Sequence, residues 1–431
     1  MTTTENIYRL FNKFPKISTD SRKIEKGSIF FALKGANFNG NKFASDSLKK
    51  GATYAIVDEK EFVTSEKILL VDNVLGTLTE LANLHRRTLE IPILAITGTN
   101  GKTTTKELVA AVLEQKFRVS FTEGNLNNHI GVPLTLLKMT AKTQFGVVEM
   151  GANHRGEIEA LCKIAEPDFG MITNIGKAHL EGFGSFENVI ETKSELFNFI
   201  KKKNGTFFFN SDNEILQQHF NEYKNKITFG TNNADFTGEP VQSPPFVHIK
   251  TNFKKGVLFL NSNLIGDYNF ENILAAACIG NHFKVDPLQI QKAIKKYQPK
   301  NNRSQLIKKG DLRIIMDAYN ANPTSMQVSI KSFVENNEGK KYLILGDMLE
   351  LGGYSIKEHK NILELISSLK IDDAFLVGQE FFETGQQFRF KTFRTVADLK
   401  LYLEKNRIKN GNLLIKGSRG IQLEKVLDSL N

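Results

Sequence analysis

A chain of 431 residues is too long for one hydrophobic core, so two or three domains are expected. With 40% hydrophobic and 24% charged residues it has the make-up of an ordinary soluble globular protein. The formal net charge of +10 fits a polyanionic ligand or a generally lysine-rich background, and the basic residues are scattered, as in "KKYQPKNNR", which argues against a nucleic-acid arm. Cys162 and Cys278 lie in apolar helical contexts and read as buried thiols, pointing to a reducing compartment. "MTTTENIYRLFNKF" has no apolar signal core and no run reaches membrane-spanning length. A cytoplasmic protein without membrane insertion is expected.

In chain order, residues 1–88 offer short strands ("GSIFFAL", "ATYAIV", "KILLV") between helical patterns, a small α/β unit. "RRTLEIP" connects it to a second domain, residues 89–298. There "IPILAIT", "FGVVEM", "FGMITNI" and "GTFFFN" alternate with helices, the pattern of a doubly wound, mostly parallel sheet. Residues 226–265 are strand- and turn-rich and read as an antiparallel excursion, ending at a helix from Phe270 to about Phe283. "KKYQPKNNRSQ" reads as a second linker. Beyond it, residues 299–431 carry four strand candidates, "LRIIMDAY", "KYLILGD", "DAFLVG" and "NLLIKGS", a third, Rossmann-like α/β domain.

"ILAITGTNGKTTTKELVAAVL" (93–113) joins a strand to a helix through a glycine-rich turn. In a phosphate loop, inward N–H groups and a helix N-terminus hold the phosphates, a lysine reaches the β/γ-phosphates, and the next hydroxyl binds Mg²⁺. Gly98 and Gly101 supply permissive backbone, Lys102 the charge and Thr103 the metal ligand, with Thr99, Asn100 and Thr104 completing the loop. The general motif wants a further glycine at position 96, which is Ile.

The shortened form "TGTNGKTTT" resembles the loop of the Mur ligase family of ATP-dependent amide-forming enzymes, and the resemblance covers the whole chain in order. From the residues alone, Glu149 ends a strand, where it could hold Mg²⁺ or be a solvated acid. His179 and Lys193 would by themselves pass as ordinary side chains. The resemblance makes Glu149 and His179 metal ligands and Lys193 the lysine that CO₂ carbamylates, giving an oxygen ligand for a second Mg²⁺. That reaction needs a neutral amine, hence a lowered pKa. Lys102, Glu149, His179 and Lys193 are the implied catalytic group. Asn174 ends another strand and could face the nucleotide.

Asn269 and Asn272 open a helix and could bond an adenine edge or cap it; the resemblance favours Asn272 at the base. It also implies that Arg303 meets the nucleotide phosphates and Asp317 the ribose. "DAYNANP", with Tyr319, Asn320, Asn322 and Pro323, resembles the branch of the family that adds D-Ala-D-Ala. "LGDMLELG" (Asp347) and "LIKGSRG" (Lys416, Arg419) match that branch or are simply strand ends with caps. Ser21, Arg22, Lys34 and Gly35 correspond to the family's UDP contacts, and Asn125, Asn127 and Asn128 to a loop on the UDP-sugar side. Typical members read Gly-His where this chain reads Gly40-Asn41.

The resemblance implies a monomeric cytoplasmic ligase using ATP and two Mg²⁺ to join D-Ala-D-Ala to UDP-N-acetylmuramoyl tripeptide through an acyl phosphate. A sibling adding a diamino acid should carry Asp-Asn-Pro-Arg in its third domain, and none is found. A folate-polyglutamating sibling would lack the uridine-binding first domain. A phosphate-loop ATPase dependent on nucleic acid would also explain Lys102 and the basic charge. A non-catalytic nucleotide binder is disfavoured by the full set of candidate metal ligands.

Overall fold

The structure, a computed structural model, describes residues 1–431 apart from 179, 243, 255, 301 and 431, and leaves the side chain of Leu180 aside. Three α/β units follow one another along the chain, each with its own sheet.

The first sheet has four parallel strands in the order Ile17–Ser18, Ile29–Phe31, Tyr54–Val57, Ile68–Leu70, with a small hairpin of Lys34–Gly35 and Phe38–Asn39 beside it. Asn73 caps the helix Val74–Leu89 by accepting from Gly76 N, and Glu90 ends it in a left-handed conformation (φ 52°). This helix ties the first unit to the second: Arg86 donates to Ala165 O and pairs with Asp168 at 2.9 Å.

The second sheet has nine strands. Ile93–Thr97 is flanked on one side by Phe145–Glu149 and on the other by Phe169–Ile172, all parallel. The chain reverses its winding here, so the carboxyl ends of these three strands open onto one crevice, where open α/β sheets bind ligands. Ile93–Thr97 and Phe145–Glu149 are buried throughout, as strands covered on both faces must be.

The excursion after residue 226 is only half antiparallel. Lys226–Gly230 and Phe236–Val241 extend the parallel sheet, and Phe246–Phe253 with Gly256–Ile265 then form an antiparallel edge. The following helix runs Asn269–His282.

The third sheet has six strands. Four are those expected: Asp311–Asp317, Lys341–Gly346, Asp373–Val377 and Asn410–Lys416. Gln305–Lys309, antiparallel to Asp311–Asp317, and the short Lys391–Phe393 complete its edges. Among the described residues no helix is long and apolar enough to cross a membrane.

Candidate active site

The glycine-rich turn leaves the buried strand Ile93–Thr97 and enters the helix Lys102–Leu113 through Gly101. Both glycines are sterically required. Gly98 has φ +142° and a Cβ there would sit 2.0 Å from Thr173 Oγ1; Gly101 has φ +78° and its Cβ would lie 2.5 Å from Asn272 Oδ1. Ile96 is a fully buried member of the strand, so the position the longer motif gives to glycine is already sheet.

Neighbouring strand ends hold the turn. Asn100 N donates to Asn174 Oδ1 at 2.9 Å, Asn174 Nδ2 and Thr173 Oγ1 donate to Asn100 O, and Thr99 N donates to Asn174 O. Lys102 curls back, donating to Gly98 O at 2.7 Å and Thr99 O at 2.9 Å. Desolvation lowers its pKa to about 8, opposed by the charge of Glu149 and assisted by that of Arg303.

Glu149 is 1% exposed at the end of its strand. Its Oε1 accepts from Thr103 Oγ1 (3.2 Å) and Asn127 Nδ2 (2.8 Å), while its buried Oε2 accepts no hydrogen bond among the described residues. A buried carboxylate oxygen free of hydrogen bonds among the described residues, 3.6 Å from the Lys106 ammonium and on the same side chain that accepts from a helix-first-turn hydroxyl, fits a hard cation that takes one or two protein oxygens and the rest from phosphate and water. Lys193 is buried on the helix Phe186–Lys202, its Nζ 5.6 Å from the Phe183 ring centroid. Burial, then the like charge of Lys102, brings its pKa down to about 7. His179 lies outside the described residues.

The third domain closes the crevice. Asn322 caps the helix Pro323–Glu335 in a capping box with Ser325, and its Nδ2 donates to Asn100 Oδ1 at 2.8 Å. "DAYNANP" thereby reaches the tip of the phosphate loop across the domain boundary. Thr324 Oγ1 accepts from Lys177 N nearby. The Asn322→Ala variant should lose about 1 kcal/mol of stability from the missing cap alone, measured by urea denaturation at constant m-value. Arg303 sits between two residues in left-handed conformation, Asn302 (φ 56°) and Ser304 (φ 49°). Its guanidinium carbon lies 3.5 Å from the Tyr319 ring centroid, and its buried Nε has no hydrogen-bond partner among the described residues. Arg419 reaches Tyr319 Oη at 3.5 Å. Asp317 pairs with the buried Lys416 at 2.5 Å and accepts from Ser304 N.

These parts enclose a cleft of about 770 Å³. Of the residues singled out from sequence, Thr99 to Thr104, Asn125, Asn127, Asn128, Glu149, Asn174, Asn269, Asn272, Arg303, Asp317, Tyr319, Asn320, Asn322 and Lys416 line it. Gly98 adjoins them in the loop. The asparagines at the helix start are already engaged: Asn272 Oδ1 accepts from Thr105 Oγ1, Asn272 Nδ2 donates to Asn269 Oδ1, and Asn269 Nδ2 to Ile265 O.

Others lie apart. Asp347 is buried just past the carboxyl end of the interior strand Lys341–Gly346, where it accepts from Glu380 N and Phe381 N and holds the start of the helix Gln379–Thr384. Ser21 and Arg22 form a surface turn in which Arg22 pairs with Asp20 at 2.8 Å. Lys34, in the hairpin with Gly35, pairs with Asp58 at 3.0 Å and Glu59 at 3.3 Å. Asn41 is fully buried and donates to Asp58 Oδ1 and Asn39 Oδ1 while accepting from Asp58 N. It is a strut of the first unit.

Sequence reasoning did not single out Lys106, His129, Glu157 or Glu271. His129, Glu157 and Glu271 line the cleft; Glu271 has its pKa raised to about 7 by burial and by the nearby Asp212. Lys106 had one available signal, its spacing of four residues from Lys102 on an otherwise apolar helix face.

The family comparisons agree with this layout. Residues 13–111 match the Mur ligase family catalytic domain, 96–280 the Mur ligase middle domain, and 302–418 the Mur ligase glutamate ligase domain. The UDP-N-acetylmuramoyl-tripeptide–D-alanyl-D-alanine ligase of Bacillus subtilis is 35% identical over 96% of this chain and 92% of its own length. The enzyme of that name from Escherichia coli is 31% identical over 96% and 93%. Among solved structures, MurF from Acinetobacter baumannii superposes with TM-score 0.88 at 30% identity, covering 96% of this chain and 93% of its own. MurF ligase from Thermotoga maritima in complex with ADP gives TM-score 0.85 at 28% identity, covering 96% of each chain. With three successive family domains and full-length relatives above 30% identity, the chain belongs to the Mur ligase family.

Proposed function

We propose that this chain is an ATP-dependent, ADP-forming ligase that joins D-Ala-D-Ala to UDP-N-acetylmuramoyl tripeptide, a cytoplasmic step in building the cell-wall precursor. One observation carries the reading. The phosphate loop, the buried Glu149 carboxylate and the "DAYNANP" turn converge on a single cleft, with Asn322 bonded to Asn100.

ATP phosphorylates the terminal carboxylate of the tripeptide: a carboxylate oxygen bonds the γ-phosphorus and the bond to ADP breaks. The amine of D-Ala-D-Ala then attacks the acyl carbon, loses a proton, and inorganic phosphate departs. Such a transfer leaves the protein little covalent work, so placement and charge neutralisation supply the rate. Lys102 exchanges its bonds to Gly98 O and Thr99 O for phosphate oxygens. Arg303, stacked on Tyr319 with Nε unbonded, adds a second cation. Thr103 and Glu149 are the described residues that would hold Mg²⁺, which neutralises phosphate charge when bound. Lys193, held near neutrality, suits CO₂ capture: the amine nitrogen bonds the carbon and releases a proton, leaving an anionic carbamate.

The decisive assay is phosphate release with UDP-N-acetylmuramoyl tripeptide and ATP, comparing D-Ala-D-Ala with single amino acids. Release with the dipeptide alone is expected. Release supported by one amino acid and not by the dipeptide would reverse the branch assignment.

A further inference from the structure

Lys106 is a fully buried lysine on the phosphate-loop helix, and it does not face the cleft. Its ammonium lies 3.6 Å from Glu149 Oε2, longer than a hydrogen bond, and 3.9 Å from Glu107 Oε1. It donates to Gly124 O at 3.3 Å and lies 5.8 Å from the Phe121 ring centroid. The other oxygen of Glu149 is already taken by Thr103 and Asn127. One buried cation thus touches the strand end that carries Glu149 and the loop that carries Asn125, Asn127 and Asn128.

We propose that Lys106 is a positioning residue that serves as the internal counter-ion of Glu149, competes with a divalent cation for that carboxylate, and anchors the 123–128 loop. The inference rests on the reading of Glu149 as a metal ligand. A lone buried carboxylate is costly, and removing its partner leaves that cost uncompensated. A lysine held within 4 Å offsets the cost and also repels any divalent cation approaching the same oxygen. The site is thereby set to bind metal weakly until nucleotide phosphates bring further negative charge. The bond to Gly124 O has a separate role, since it fixes the backbone from which Asn127 reaches Glu149.

Two consequences of opposite sign follow, which a merely structural role would not produce. Without the charge, Glu149 binds a divalent cation more tightly. Without the anchor, the loop loosens and the KM for the UDP-linked substrate rises.

The test uses Mn²⁺ alone, with free ion followed by electron paramagnetic resonance, on the full chain and on Lys106→Met, Lys106→Gln, Lys106→Arg and Glu149→Gln. Glu149→Gln should abolish the site. Lys106→Met should bind Mn²⁺ about tenfold tighter than wild type, a conservative fraction of the Coulomb term at that separation. Lys106→Gln gives the same reading should the methionine variant fail to fold, and Lys106→Arg should stay within about twofold of wild type, since it keeps the charge. If the neutral variants bind Mn²⁺ no tighter than wild type while Glu149→Gln still abolishes binding, the counter-ion role is overturned and the metal reading stands. Mn²⁺ binding indifferent to Glu149→Gln overturns the metal reading and this inference with it.

Discussion

The Lys102→Ala enzyme should lose roughly 10³-fold in kcat/KM for ATP, about 4 kcal/mol of transition-state stabilisation. The loss should fall on kcat as well as KM, because charge on the γ-phosphoryl oxygens is met by this ammonium during transfer. Folding should survive. Lys102 is half-buried and, among the described residues, its hydrogen bonds are to two carbonyls of its own loop, so its removal breaks no hydrogen bond to another segment. Steady-state phosphate release with a thermal melt as control decides the matter: a variant that melts like wild type and turns over within tenfold of it would remove Lys102 from the reaction.

Lys193→Ala should abolish turnover to at least about 10²-fold below wild type. Burial and the charge of Lys102 bring the amine down to about 7, so it is increasingly neutral as pH rises through that value. Wild-type activity should therefore fall as pH drops below about 7 and should fall further in buffers stripped of CO₂. The stability signature has its own sign. Between about pH 7 and the ordinary lysine range the folded chain binds fewer protons here than the unfolded chain, so stability rises with pH across that window. The alanine variant should show a flatter slope there. Full activity in Lys193→Ala, or indifference to CO₂, would reject the role.

The loop, the acid and the third-domain turn were legible because each is local: a strand, a few residues of special chemistry, then a helix. Ile96 looked like a defect of the motif until the strand was seen to run through Thr97. The alternation of strands and helices gave the three α/β units but not the edges of the sheets. Gln305–Lys309 and Lys391–Phe393 are partly exposed and short, with little apolar pattern to announce them. In the excursion, strand identity was readable and direction was not, since partner choice is set by where the chain crosses the sheet. Asp347 carried the right residue type at a strand end, yet its carboxylate is consumed by two backbone donors of a distant helix. Lys106 and Asn41 are the reverse case. Their functions depend wholly on burial beside an acid from another segment, which spacing does not disclose.

On the proposed reading, the way Lys102 is held by Gly98 O and Thr99 O, with Asn174 on Asn100 N, makes nucleotide capture an exchange reaction. Each bond a phosphate would gain there displaces one already made within the protein, so the affinity would be a difference between two well-bonded arrangements. A triphosphate would then have to displace the protein's own carbonyls from Lys102, and those carbonyls would recapture the lysine once the γ-phosphoryl group is gone.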